Sequence, residues 1–195
     1  MRRDRRGFTL LELIFAIGLL TFVVIKLTIV LSEAREVHSR ETAAMTLEDR
    51  AREILDRVSY ALIGADAGTL DPAASFPFFA HGLEYKISLG IEDGETVWSD
   101  VEYIGLAEGS PELRWGRHMG EPDEEIVVWC RNVAELIEDE LANGADDNGN
   151  EMADETGLTF TMVGDTVTIL LTLETAGDAG GNPQCTVETK VTCRN

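Results

Sequence analysis

Arg5-Arg6-Gly7-Phe8-Thr9-Leu10-Leu11-Glu12-Leu13 opens a run that stays apolar as far as Leu31. Between residues 8 and 31 only Glu12 and Lys26 carry charge. As a helix rising about 1.5 Å per residue, this segment is roughly 36 Å long, enough to cross a hydrocarbon core of about 30 Å. Arg2, Arg3, Arg5 and Arg6 precede it. Positive charge is retained on the cytoplasmic side, so the N-terminus is expected inside and the remainder outside. Lys26 falls roughly 27 Å along from Phe8, near the outer interface, where its ammonium can snorkel to water. Glu12 is the anomaly, because a carboxylate within the apolar core of a bilayer is costly and calls for a reason.

A secretory signal peptide has an apolar core of about 7–15 residues and a small-residue cleavage site after it. Here the run is longer, nothing like Ala-x-Ala follows, and Glu12 interrupts it. A plain signal anchor fits the length and charge but leaves Glu12 unexplained. Gly7-Phe8-Thr9-Leu10-Leu11-Glu12 closely resembles the class III signal of type IV pilins and type II secretion pseudopilins. The resemblance implies a prepilin peptidase that cuts between Gly7 and Phe8 on the cytoplasmic face and N-methylates Phe8. It makes residues 1–7 a cleaved leader, residues 8–31 a transmembrane and filament-core helix, and Glu12 the fifth mature residue. In the family this glutamate is held to meet the α-amine of a neighbouring subunit's first residue. Paired burial is how opposite charges are tolerated in a low-dielectric place. The alternative is a Glu12 paired within its own chain or held neutral.

The chain has 195 residues and a net charge of −20. Removal of residues 1–7, which hold four arginines and one aspartate, would leave −23. So acidic a chain lacks the basic face that phosphate binding needs, which argues against a nucleic-acid partner. It suits a soluble head outside the membrane, able to bind divalent cations or merely well solvated.

No proline occurs before Pro72, so helical character is expected to run on through residues 32–64. Val37, Ala44, Leu47, Ala51, Ile54, Leu55, Val58, Ala61 and Leu62 recur in steps of three and four and form an apolar stripe. Glu48, Asp49, Arg52, Glu53, Asp56 and Arg57 fill the opposite face. Such a stripe must pack on something, and the natural partner is a sheet from the remaining chain. A free amphipathic helix binding a partner protein is the other reading. Residues 64–79 read as a loop, with Gly68, Asp71-Pro72 and Pro77 as breakers.

Strands are expected at 83–89 (Leu83, Tyr85, Ile87 and Leu89 on one face), 96–106 with a break near Ser99-Asp100, 112–115, 126–130, 158–163, 166–173 and 186–192. Gly164-Asp165 is a good two-residue hairpin turn. Residues 133–141 read as a short acidic helix or an irregular segment. The pattern predicts an α+β protein: one long N-terminal helix packed on an antiparallel β-rich head, residues 65–195.

That is also the pilin-like layout. Residues 51–57 of the helix, the hairpin from Gly157 to Glu174 and the terminal Val191-Thr192-Cys193-Arg194-Asn195 resemble the J-type minor pseudopilins and W-type minor pilins. Major pilins usually carry a proline in the anchor helix and this chain has none, which favours a minor subunit. The resemblance places the protein as a single-pass protein of the bacterial inner membrane with a periplasmic head. Its implied partners are the prepilin peptidase/N-methyltransferase and other pilin-like or pseudopilin subunits. The implied filament is a type II secretion pseudopilus or a type IV pilus. A ligand- or substrate-binding tip component is the alternative, and an anchored enzyme a remoter one.

A second motif lies at residues 143–155, Asn-Gly-Ala-Asp-Asp-Asn-Gly-Asn-Glu-Met-Ala-Asp-Glu. Asp146, Asn148 and Asn150 alternate, and Asp154 and Glu155 follow. Alternation aims oxygens at one centre, as calcium, which takes six to eight oxygen ligands, requires. The segment resembles Asp-x-Asn-x-Asn calcium loops. Glu151 stands where an EF-hand has glycine, and Gly157 where it has its bidentate glutamate. Asp154 or Glu155 would therefore close the shell, with Met152 supplying a backbone oxygen. The alternative is a solvated acidic loop.

Cys185 and Cys193 are expected on one strand, roughly 26 Å apart and beyond disulfide reach. One bridge, from Cys130 to Cys185 or Cys193, or three free thiols remain open. There is no P-loop, Gly-x-Ser-x-Gly or His-Glu-x-x-His, and His38, His81 and His118 are scattered. Nothing argues for an enzyme.

Overall fold

The computed structural model describes residues 9–175 and 183–193. The cleavage position between Gly7 and Phe8 lies outside the described residues. Among the described residues one α-helix, α1 (Leu10–Ile63), and a short 3-10 turn (Ala67–Thr69) are followed by nine strands: β1 (Gly82–Tyr85), β2 (Ser88–Glu92), β3 (Glu95–Trp98), β4 (Glu102–Leu106), β5 (Leu113–Arg117), β6 (Glu125–Cys130), β7 (Leu158–Val163), β8 (Thr166–Glu174) and β9 (Gln184–Thr192). The compact units of the chain divide between Ala43 and Ala44, inside α1.

In the first unit, the described part of α1 leaves its apolar side chains uncovered: none of the most apolar stretch is buried. Its hydroxyls are satisfied internally, Thr21 Oγ1 donating to the Ile17 carbonyl at 2.8 Å and Thr28 Oγ1 to that of Val24 at 2.9 Å. That back-bonding gives both hydroxyls a partner within the helix itself. Lys26 Nζ lies 5.8 Å from the centroid of the Phe22 ring.

In the second unit, α1 buries Leu47, Ala51, Ile54, Leu55, Val58 and Leu62. Each large one contributes about 1.5–3 kcal/mol of burial. The opposite face carries the i,i+4 ion pairs Glu48–Arg52 and Glu53–Arg57, worth only a few tenths of a kcal/mol each at this exposure. The expected stripe began at Val37, but Val37 and Ala44 are exposed and burial starts at Leu47.

All strand pairs are antiparallel, in sheets of order β1-β4-β5-β6, β2-β3 and β7-β8-β9. The protein is therefore α+β, with one long N-terminal helix and antiparallel sheets. The core joins the buried helix stripe to Leu83, Tyr85, Ile104, Leu113, Phe160, Ile169, Leu171 and Leu173. Glu102 Oε2 gathers the Tyr85 hydroxyl at 2.9 Å and Trp115 Nε1 at 3.0 Å. Burial foremost, and then the Glu102 charge, push the Tyr85 phenol far above its ordinary value. Val163 and Thr166 pair across the Gly164-Asp165 turn, with Gly164 at φ 61°.

The single strand expected over 83–89 is two. β1 pairs with β4, whereas β2 leaves to form a separate ribbon with β3, so Leu89 is exposed while Leu83 and Tyr85 are buried. Alternation alone did not show the change of partner. Residues 133–141 are irregular and held by bridges Val133–Leu173 and Leu136–Thr156. Cys130, Cys185 and Cys193 are free thiols, so neither expected pairing is formed. Cys130 Sγ donates instead to Asn132 Oδ1 at 3.0 Å.

Candidate functional site

At the start of α1, the Glu12 N–H donates to Thr9 Oγ1 at 3.3 Å and the Leu13 N–H to the Thr9 carbonyl at 3.2 Å. Thr9 is thus the N-cap, and Glu12 lies in the first turn, where the free N–H groups and helix dipole favour an anion. The Thr9-x-x-Glu12 spacing is that of a capping box and was available in the sequence. The anomaly of a carboxylate in an apolar run masks this second role in starting the helix. Glu12 is exposed, as are the large apolar residues from Leu10 to Leu31.

The acidic loop is built on irregular backbone between residue 133 and β7. Asp146 caps the turn after it: Oδ1 accepts the N–H groups of Gly149 at 2.6 Å and Asn150 at 3.1 Å, and Oδ2 that of Glu151 at 2.8 Å. Asn148 Oδ1 accepts from Asn150 N at 3.0 Å, and Asn150 Oδ1 from Met152 N at 2.9 Å. Glu151 has φ 69°. The left-handed backbone expected of glycine at this place is therefore present although the residue is glutamate. Asp154 is turned to the loop entrance, its two oxygens accepting the N–H groups of Asn143 and Gly144 at 2.9–3.0 Å.

Two carboxylates of the loop are buried, Glu140 and Glu155. Glu140 Oε1 accepts from the N–H groups of Asp147 and Asn148, each at 3.2 Å, and Oε2 from that of Asp154 at 3.1 Å. Glu140 stands in an acidic run with no spacing to mark it in the sequence. Glu155 Oε1 accepts from Asn150 Nδ2, and Glu155 Oε2 has no partner. Among the described residues no ion pair reaches either glutamate. An uncompensated buried carboxylate costs several kcal/mol in effective terms. Met152 is buried. Among the described residues no three His, Cys, Asp or Glu side chains converge as a preformed metal cluster. The oxygens of Asp146, Asn148, Asn150, Asp154 and Glu140 described above instead accept from backbone N–H groups, Glu155 Oε1 accepts from a side-chain amide, and Glu155 Oε2 alone of these is unmet.

His38 and His81 are exposed. His118 sits between two aspartates, Nε2 3.2 Å from Asp100 Oδ2 and Nδ1 3.0 Å from Asp123 Oδ2. The hydrogen bond to Asp100 foremost raises its pKa above the ordinary value. A shallow cavity of about 480 Å³ is lined by Glu53, Asp56, Arg57, Tyr60, Ala61 and Trp129.

Residues 2–25 match the model of the prokaryotic N-terminal methylation motif. No curated protein and no solved structure matches the chain. The motif covers Gly7, Phe8 and Glu12 and the first turns of α1, and it does not reach the head. It supports a type IV pilin-like chain, processed by prepilin peptidase, whose apolar N-terminal helix fits anchoring in a membrane.

Proposed function

We propose that this chain is the precursor of a minor subunit, of the J-type pseudopilin or W-type minor pilin kind. It assembles through its N-terminal helix into a type II secretion pseudopilus or a type IV pilus. Cleavage falls between Gly7 and Phe8, Phe8 is methylated, and Glu12 pairs with the Phe8 amine of a neighbouring subunit. Before assembly the helix of residues 8–31 holds the protein in the inner membrane with the head in the periplasm.

The observation that carries the reading is the uncovered apolar surface of α1 from Leu10 to Leu31, with Glu12 in its first turn and inside the matched motif. Such a surface must be met by lipid or by other helices. Against lipid alone Glu12 is a liability, whereas against a helix ending in a free amine it has a partner. The function is then mechanical: helices pack, and one charge pair sets their axial register.

Mass spectrometry of the mature protein tests it, with an N-terminus at methylated Phe8 expected. An N-terminus at Met1, or one beyond Leu31, overturns the reading. Glu12→Ala should be cleaved normally yet enter filaments about tenfold less or worse, since truncating one partner of a buried charge pair costs about 2–5 kcal/mol. Undiminished incorporation would remove the pairing.

A head that binds a ligand at the filament tip is the second reading, favoured by the highly exposed Tyr60 beside Trp129 in the shallow cavity. Alanine at Tyr60 should then impair transport or adhesion while leaving assembly unchanged.

A further inference from the structure

We propose that the loop 140–155 is a calcium site whose central ligand is Glu155. The inference stands independently of the filament reading. It rests on Glu155, fully buried, with one carboxylate oxygen held by Asn150 of the loop and the other without any partner. Polar atoms are seldom left unsatisfied in the interior of a protein, and a charged one least of all. The nearby Glu140 is buried too, and no described Lys, Arg or His is paired with either. Two buried carboxylates without a cation of the protein's own call for one from solution.

The surrounding donors are all oxygen. Asp146, Asn148 and Asn150 stand at alternate positions ahead of Glu155, and the turn that Asp146 caps brings Asn150 against Glu155. Asn150 reaches Glu155 through its Nδ2, so a cation at the orphaned oxygen would be met by the amide oxygen once the side chain turns over. Met152, next along, offers its carbonyl. Thiolate and imidazole ligands are absent from residues 140–155, which disfavours zinc. Magnesium demands a small, near-ideal octahedron, whereas calcium accepts a larger and irregular set of amide, carbonyl and carboxylate oxygens. The carboxylates are not gathered beforehand, so the ion would draw them in, and binding would order the loop. Glu140 and Asp154 act as clamps: their oxygens are taken by backbone N–H groups at the loop's two ends, and they hold residues 143–154 in a closed turn around the site.

The test is a calorimetric titration of calcium chloride into the chelator-stripped full chain in detergent, with magnesium chloride as the comparison and melting followed in parallel. One calcium per chain, a raised Tm and no matching effect of magnesium are expected. Glu155→Gln should weaken binding at least tenfold while the metal-free Tm holds or rises, because a buried charge is removed. Asp146→Asn, at an exposed position that leaves the core intact, should weaken it likewise, and Asp165→Asn in the β7–β8 turn should not. The proposal is overturned if the stripped protein takes up no calcium. It is also overturned if Asp146→Asn and Glu155→Gln bind as tightly as the parent, the result expected of diffuse attraction to an acidic surface.

Discussion

Glu140 Oε2 accepts the backbone N–H of Asp154 at 3.1 Å, across a loop whose near side is held by Glu140 Oε1 through Asp147 and Asn148. One buried carboxylate thus ties both sides of a segment that is exposed from Leu141 to Gly149. Hydrogen bonds to a charged group contribute about 1.5–3 kcal/mol each when the alternative is an unmet buried partner. Glu140→Ala is expected to release the loop: amide exchange at Asp147, Asn148 and Asp154 should accelerate at least tenfold, while the amides of β7 and β8 keep their protection. Unchanged exchange at those three amides would show that the loop is held by something else.

Glu151 occupies the left-handed region at φ 69°. A side chain with a Cβ costs about 1–2 kcal/mol there. Glycine removes that cost but gives more freedom to the unfolded chain, which takes back part of the gain. Glu151→Gly should therefore raise stability by about 0.5–1 kcal/mol, read as a Tm increase of a few degrees. Glu151→Ala keeps the Cβ and should show no such increase.

Gly157 is required for a different reason, close approach. A Cβ there would stand 2.1 Å from the carbonyl oxygen of Ala134. The contact is backbone on both sides, since Gly157 N donates to the Glu135 carbonyl at 3.3 Å and its own carbonyl accepts from Thr172 N at 2.7 Å. Gly157→Ala should cost about 1–3 kcal/mol or more through forced separation of residue 134 from β8. Denaturant unfolding measures it, and a loss below about 0.5 kcal/mol would mean that the contact relaxes freely.

His118 bridges Asp100 and Asp123 in the folded protein. Its pKa is raised in the fold, by the Asp100 hydrogen bond first and by the charges of both aspartates. The stabilisation is therefore complete below the unfolded value of about 6.5 and is lost as pH rises through the folded value. NMR titration of the ring should give a midpoint above about 6.5 that falls in Asp100→Asn and, by less, in Asp123→Asn. A midpoint insensitive to both substitutions would exclude the pairing. Because the site is open to solvent, added salt should shrink the shift.

Local chemistry was enough to place most of the elements. The absence of proline and the stepped apolar stripe put the end of the helix at about Gly64, and it ends at Ile63. The Gly164-Asp165 turn was legible because two residues between alternating runs admit few backbone solutions. Asp146, Asn148 and Asn150 stood out by their spacing. These signals are short-range, written within one turn or a few strand residues. The long apolar N-terminal helix was equally plain, since length and apolarity need no partner to be read.

What depended on contacts between distant segments was hidden. The run 83–89 divides because β1 finds β4 while β2 finds β3, and alternation is the same whichever partner is chosen. Val37 carries the helical period and is exposed, whereas Leu47 carries it and is buried, because a period within one helix does not say which of its residues find contacts elsewhere in the chain. Glu140 was one acid among many, and Glu155 one of two that could close the loop, until folding enclosed both and left Glu155 Oε2 unmatched. Burial turns an ordinary surface carboxylate into one that requires a partner, and burial is a property of the assembled fold rather than of any residue's neighbours in the chain.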